Sequence, residues 1–328
     1  YSIPCFSLAK VLHKSPMDIA NEIASRINRK NYKKIDVVSG YLNVFISDEL
    51  INHKLKLMND DLFFDVKRPD NVETFFLDYG GPNVAKPLHV GHMRTAIVGE
   101  SIKRIIEYMG HKTISDVHLG DFGLQIGEVI YGVLRDKISV DDIDIKYLDR
   151  IYPKMNAICK EDEKIKEECA KITKELQDGN EEYRILWKKI LEVSKQDIKK
   201  NYDFLNVSFD YWYGESDSYS YLEETEKILR NENILEESNG ALVVHIKEEC
   251  DKKEMPPLLF KKSNGGYLYA STDLATIVQR KKDFNPDHIL YVADNRQELH
   301  FEQEFRTAEK AKIIERTKNK KKATTKFV

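Results

Sequence analysis

At 328 residues the chain is long enough for two domains, and 41% hydrophobic against 33% charged residues excludes a wholly disordered polypeptide. No apolar run approaches the ~18 residues of a membrane-spanning helix, and the start, Tyr1 to Phe6, has neither the basic opening nor the apolar stretch of a signal peptide. A net charge of -3 does not announce a nucleic-acid partner, although a local basic face can coexist with it.

The first 70 residues read as a small α+β unit. Ser15-Pro16-Met17-Asp18 combines a capping residue, proline at the first helical position and an acid in the first turn. Ile19, Ile23 and Ile27 then mark one helix face. Residues 35–38 and 41–46 are β-rich, and Ser39-Gly40 between them predicts a hairpin. The polar stretch 60–70 ends in Lys67-Arg68-Pro69-Asp70 and places a boundary there, with a second domain over 71–328.

Residues 72–79 predict a buried strand that runs into a glycine loop. A helix pattern follows from Gly91 to Met109, with Gly110 as its C-terminal cap, and 112–118 predicts a second strand. This is a βαβ unit and the opening of a doubly wound sheet. Residues 123–204 read as mostly helical, and the charge runs at 160–174 and 188–200 as solvated helix faces. The aromatic run Tyr211-Trp212-Tyr213 reads as packing rather than a nucleotide-stacking platform. Residues 241–246 and 289–293 predict further strands. The four cysteines, Cys5, Cys159, Cys169 and Cys250, lie far apart, with no C-x-x-C pair. They point to free thiols in a reducing cytoplasm rather than zinc ligands.

His89-Val90-Gly91-His92 carries the first chemical signal. It follows a strand and a glycine loop and opens a helix, whose free N–H groups and partial positive charge suit phosphates. Two imidazoles one turn apart can bond the same triphosphate, and Gly91 lets a base or a phosphate approach the backbone.

Residues 78–94, DYGGPNVAKPLHVGHMR, resemble the first signature of arginyl-tRNA synthetases. Residues 110–125, 267–275 (YLYASTDLA) and 291–301 (YVADNRQELHF) are similar to later blocks of that family in the same order. The first 55 or so residues resemble its tRNA-contacting N-terminal domain. The resemblance implies a Rossmann-type class I catalytic domain with helical insertions, preceded by a small α+β domain. It implies a cytoplasmic, monomeric enzyme that activates L-arginine with ATP and Mg²⁺ and loads it onto tRNA(Arg), with no membrane partner. It places Lys86, His89, Gly91 and His92 on ATP. It places Asp78, Asn83, Tyr269, Asp273 and Gln297 on arginine, with Asp273 gripping the guanidinium and Asp78 as a second acid.

A small nucleotidyltransferase, which also uses H-x-G-H, is the rival enzyme; the Tyr269–Asp273 block and the N-terminal unit argue against it. A non-catalytic tRNA-binding paralogue is the other rival. The family pattern fades after Ala308, and residues 318–328 form a basic, low-complexity tail that reads as a disordered stub or a shifted reading frame. Without an initial Met, a second ATP-contacting signature or a helical anticodon module, the chain reads as lacking both ends. It is expected not to charge tRNA by itself.

Overall fold

A computed structural model describes residues 1–60, 66–249, 251, 254–263 and 265–314. The tail at 318–328, Cys250 and part of the 60–70 boundary lie outside the described residues. The chain divides into two units, Tyr1–Arg68 and a second that begins at Pro69.

In the first unit, β1 (Ser2–Pro4) and α1 (Phe6–Leu12) precede α2 (Pro16–Arg26), β2 (Tyr32–Val38), β3 (Tyr41–Ile46) and α3 (Asp48–Asp60). Ser15 caps α2 as expected: its hydroxyl accepts the Asp18 N–H at 3.1 Å. The three strands form an antiparallel sheet in the order β1-β3-β2. Ile19 and Ala20 of α2 bury against Leu42, Val44 and Cys5. β1, α1 and α3 have no counterpart in the sequence reading. Neither helix buries a residue, and the strand is three residues long, so no buried face imposed a period on these stretches.

The second unit is built on β4 (Thr74–Tyr79), α4 (Val90–Tyr108) and β5 (Lys112–Asp116). Met109 ends α4, and Gly110 takes φ +96°, which closes the helix. Four helices follow: α5 (Leu124–Asp136), α6 (Ile145–Glu161), α7 (Glu163–Gln177) and α8 (Glu181–Phe204). They bury Ile130, Val133, Ile151, Met155, Leu176 and Ile190 in the same core as Leu77 and Tyr79. Their packing brings Cys159 and Cys169 to 3.6 Å, a closeness the sequence separation hid.

The segment after α8 runs along the outer edge of β5. The Tyr211 N–H bonds Ser115 O at 2.9 Å, the Leu119 N–H bonds Tyr213 O at 2.8 Å, and the Glu215 N–H bonds Leu119 O at 3.0 Å. Tyr211 and Tyr213 stack at 5.0 Å, and Phe284 packs on Tyr211 at 4.9 Å, so the aromatic run is packing here. Then come α9 (Glu215–Ser218), α10 (Leu222–Asn231) and an antiparallel sheet of β6 (Glu236–Ser238), β7 (Ala241–Val244) and β8 (Leu258–Lys261). α11 (Tyr269–Asp283) leads to β9 (His288–Val292) and α12 (Glu298–Lys310). β9 returns to pair with β4 in parallel, giving the order β5-β4-β9, with Asp78 opposite both Asp116 and Tyr291. The sheet's carboxyl ends thus converge at Asp78, where ligands of open α/β sheets usually sit.

Candidate active site

A cavity of about 700 Å³ opens at those carboxyl ends. Asp78, Asn83, His89, Gly91, His92, Tyr269, Asp273 and Gln297, all expected in the site, line it. Lys86 is the exception: it stands off the cavity wall, close enough to His92 for its charge to act on that ring.

At one end, His89 and His92 begin α4. Their rings stack at 3.7 Å and 17° between planes. His89 Nδ1 accepts the Gly91 N–H at 3.1 Å, and His92 Nδ1 faces the His89 N–H at 3.5 Å. With Nδ1 of each ring spent on the backbone, Nε2 carries the hydrogen. Burial, then His89 and Lys86 beside it, push His92 down to about 4, so this ring is neutral at ordinary pH. The pair places two Nε2 atoms at a helix N-terminus.

At the other end, Tyr269 opens α11 and Asp273 lies one turn on. The Tyr269 hydroxyl accepts from Gln125 Nε2 at 3.0 Å. Asp273 Oδ2 is 2.6 Å from His300 Nε2. Glu215, at the start of α9, also lines the cavity. Burial and the nearby charge of Asp273 push its carboxyl up to about 7. Two acids whose charges act on each other in one cavity favour a cation between them. Planar, forked guanidinium suits such a pair.

The expected second acid, Asp78, is committed elsewhere. Arg280 of α11 donates to Asp78 at 2.7 Å and to Asp116 at 3.2 Å. Its guanidinium is buried between the rings of Phe76 and Tyr291, at 4.7 and 5.1 Å. Asp78 thus lines the cavity while paired with Arg280. Glu215 lines the same cavity, within reach of the charge of Asp273, and sequence reasoning missed it. The available signal was an acid directly after the Tyr211-to-Gly214 edge segment, which only the pairing with 115–119 makes meaningful. His118 and Gln125 also line the cavity without having been singled out.

Comparison with known proteins gives a consistent family. Residues 51–324 match the model "tRNA synthetases class I (R), catalytic domain", and residues 1–46 match "Arginyl tRNA synthetase N terminal domain". The arginine–tRNA ligase of Alkaliphilus oremlandii is 42% identical over 321 residues, 93% of this chain and 55% of that protein. That of Agathobacter rectalis is 40% identical over 93% of this chain and 54% of its own. The crystal structure of the Plasmodium falciparum arginyl-tRNA synthetase covers 90% of this chain at TM-score 0.68 and 29% identity, with 52% of that chain matched. The chain spans about half the length of these relatives.

Proposed function

The chain belongs to the class I arginyl-tRNA synthetase family, and from that premise we propose that its site activates L-arginine with ATP for ligation to tRNA(Arg), with AMP and pyrophosphate released. The observation that carries this reading is that Glu215, Asp273 and Tyr269 line one cavity with the stacked His89 and His92.

The guanidinium lies between Glu215 and Asp273, and Asn83 and Gln297 hold the amino and carboxylate end. The triphosphate lies at the start of α4, where the two Nε2–H groups and the backbone N–H groups meet it. Lys86 adds the positive charge from behind His92. A carboxylate oxygen of arginine attacks the α-phosphorus, and the bond to pyrophosphate breaks. No enzyme nucleophile takes part, so catalysis is in-line positioning and relief of charge on the phosphates. A ribose hydroxyl of the tRNA end then attacks the carbonyl, and AMP leaves. Mg²⁺ would accompany the nucleotide phosphates and offset part of their charge. This reading implies a cytoplasmic monomer, and among the described residues no helix is long and apolar enough to cross a membrane.

Calorimetric titration with arginine, citrulline and lysine tests the proposal. Arginine should bind at least about tenfold tighter than citrulline, since a charge-assisted bond contributes about 1.5–3 kcal/mol. Equal affinity for the two would show that no guanidinium site exists.

A further inference from the structure

His118 lines the cavity, and the chemistry above leaves it without a task. It sits just past the end of β5 with a left-handed backbone, φ +37°. That conformation is costly for a residue with a side chain and persists where the surroundings impose it. The imposition is visible on both sides. A Cβ on Gly81 would sit 2.4 Å from His118 O and 2.5 Å from Val117 O, so the loop after β4 clamps this backbone. On the other side, Leu119 pairs with Tyr213 and Glu215, and the same short ladder that turns His118 into the cavity delivers Glu215 to it.

The ring is buried among charges. Nδ1 lies 3.6 Å from Asp116 Oδ2, and neither ring nitrogen has a hydrogen-bond partner. Asp116 faces it from β5, Asp78 from β4 and Arg280 from α11. Glu215 of α9 and Asp121, in the loop after β5, feel its charge from the cavity side. Asp273 and Asp121 face Glu215 in turn. His300 lies 2.6 Å from Asp273 and Ser216 bonds Asp121, which leaves Arg280 as the one guanidinium facing Asp78 and Asp116.

We propose that His118 is a positioning residue for arginine: its ring, set beside Asp116 in the cavity wall that Glu215 shares, holds the Glu215 carboxylate ready for the guanidinium. The inference rests on the arginine reading of the site. Burial by itself would discharge the ring, but the Asp116 contact and the charge of Asp78 outweigh it and push His118 up to about 9. A cation there draws Glu215 toward ionisation against the opposing charge of Asp273.

The test is the affinity of the whole chain for arginine from about pH 6 to about pH 9, measured by calorimetry, with one pKa unit worth tenfold. In wild type the affinity should fall off below about pH 7, where Glu215 takes up a proton. In His118→Gln the fall-off should move up by roughly one unit. The loss would then be roughly tenfold near neutrality and under about threefold at the alkaline end. His118→Lys, which keeps a cation, should restore most of the wild-type profile. A His118→Gln loss by the same factor at every pH means mere packing and overturns the proposal. No arginine binding by the wild type would fell the arginine reading and this inference together; binding with a parallel loss fells only the inference. If His118→Gln does not fold, histidine-labelled NMR of the wild type decides. An imidazolium that persists above about pH 8 supports the proposal, and titration near the ordinary value of about 6.5 overturns it.

Discussion

His89 and His92 turn their Nδ1 atoms to the backbone, and burial holds His92 down to about 4, so Nε2 of each ring is the atom left for the phosphates. His89→Ala or His92→Ala should therefore slow arginine-dependent pyrophosphate exchange about 10²-fold, the usual cost of one preorganised donor. Arginine affinity should hardly change; exchange near the wild-type rate in both variants would remove the histidines from the phosphate site. At the other end of the cavity the charge is what counts. Burial and the charge of Asp273 push Glu215 up to about 7, and a guanidinium would pair with its ionised form. On the proposed reading, arginine binding should be complete above that value and should fall as pH drops through it, by up to about tenfold per unit. Glu215→Gln should abolish that pH dependence and leave the weak limit throughout, which titration at two pH values would reveal. The residues at the phosphate end were legible because their spacing is local: two histidines one turn apart at a helix start. The acids at the guanidinium end were half legible. Asp273 sits one turn from Tyr269, whereas Glu215 reaches the cavity through pairing with residues about 95 positions earlier in the chain, as the Ser216–Asp121 bonds also show. Asp78 stands in the right block but opposite Arg280, a pairing across 202 positions that no periodicity announces.

The same contrast holds for whole elements. α2 and α4 were readable because each buries a face and carries a cap or a regular apolar period, whereas α5 to α8 were legible only as one mostly helical stretch. β5 ends at Asp116, two residues short of the expected 118, because His118 is bent into the cavity rather than continued along the sheet. α12 shows a departure from the usual logic of a buried helix face. Glu304 is 1% exposed, both its carboxyl oxygens lack partners, and burial raises its proton affinity well above the ordinary range. A neutral, unsatisfied carboxyl in an apolar setting costs about 1–3 kcal/mol. Glu304→Leu, similar in volume, should therefore stabilise the chain by about that amount. Urea denaturation is the measurement; a lowered midpoint would mean that Glu304 has a partner role this packing does not reveal.

At the scale of the molecule the parallel sheet is unevenly covered. The Tyr211-to-Gly214 segment lies along β5 on one side, while no described residue pairs with the outer edge of β9. Parallel strands normally have neighbours or covering elements, and an open edge templates pairing with another chain. The chain also spans about half of relatives such as the Alkaliphilus ligase, 55% of that protein. Both ends of the cavity lie within it. On the proposed reading the phosphates meet the two histidines and the α4 N-terminus, with Lys86 off the wall. The 328-residue polypeptide should therefore associate with itself at micromolar to millimolar concentration, and on the proposed reading it should bind arginine. Sedimentation over a concentration series reads the association, and calorimetry with arginine reads the binding. A polypeptide that stays monomeric across the whole series would show that the outer edge of β9 does not template pairing.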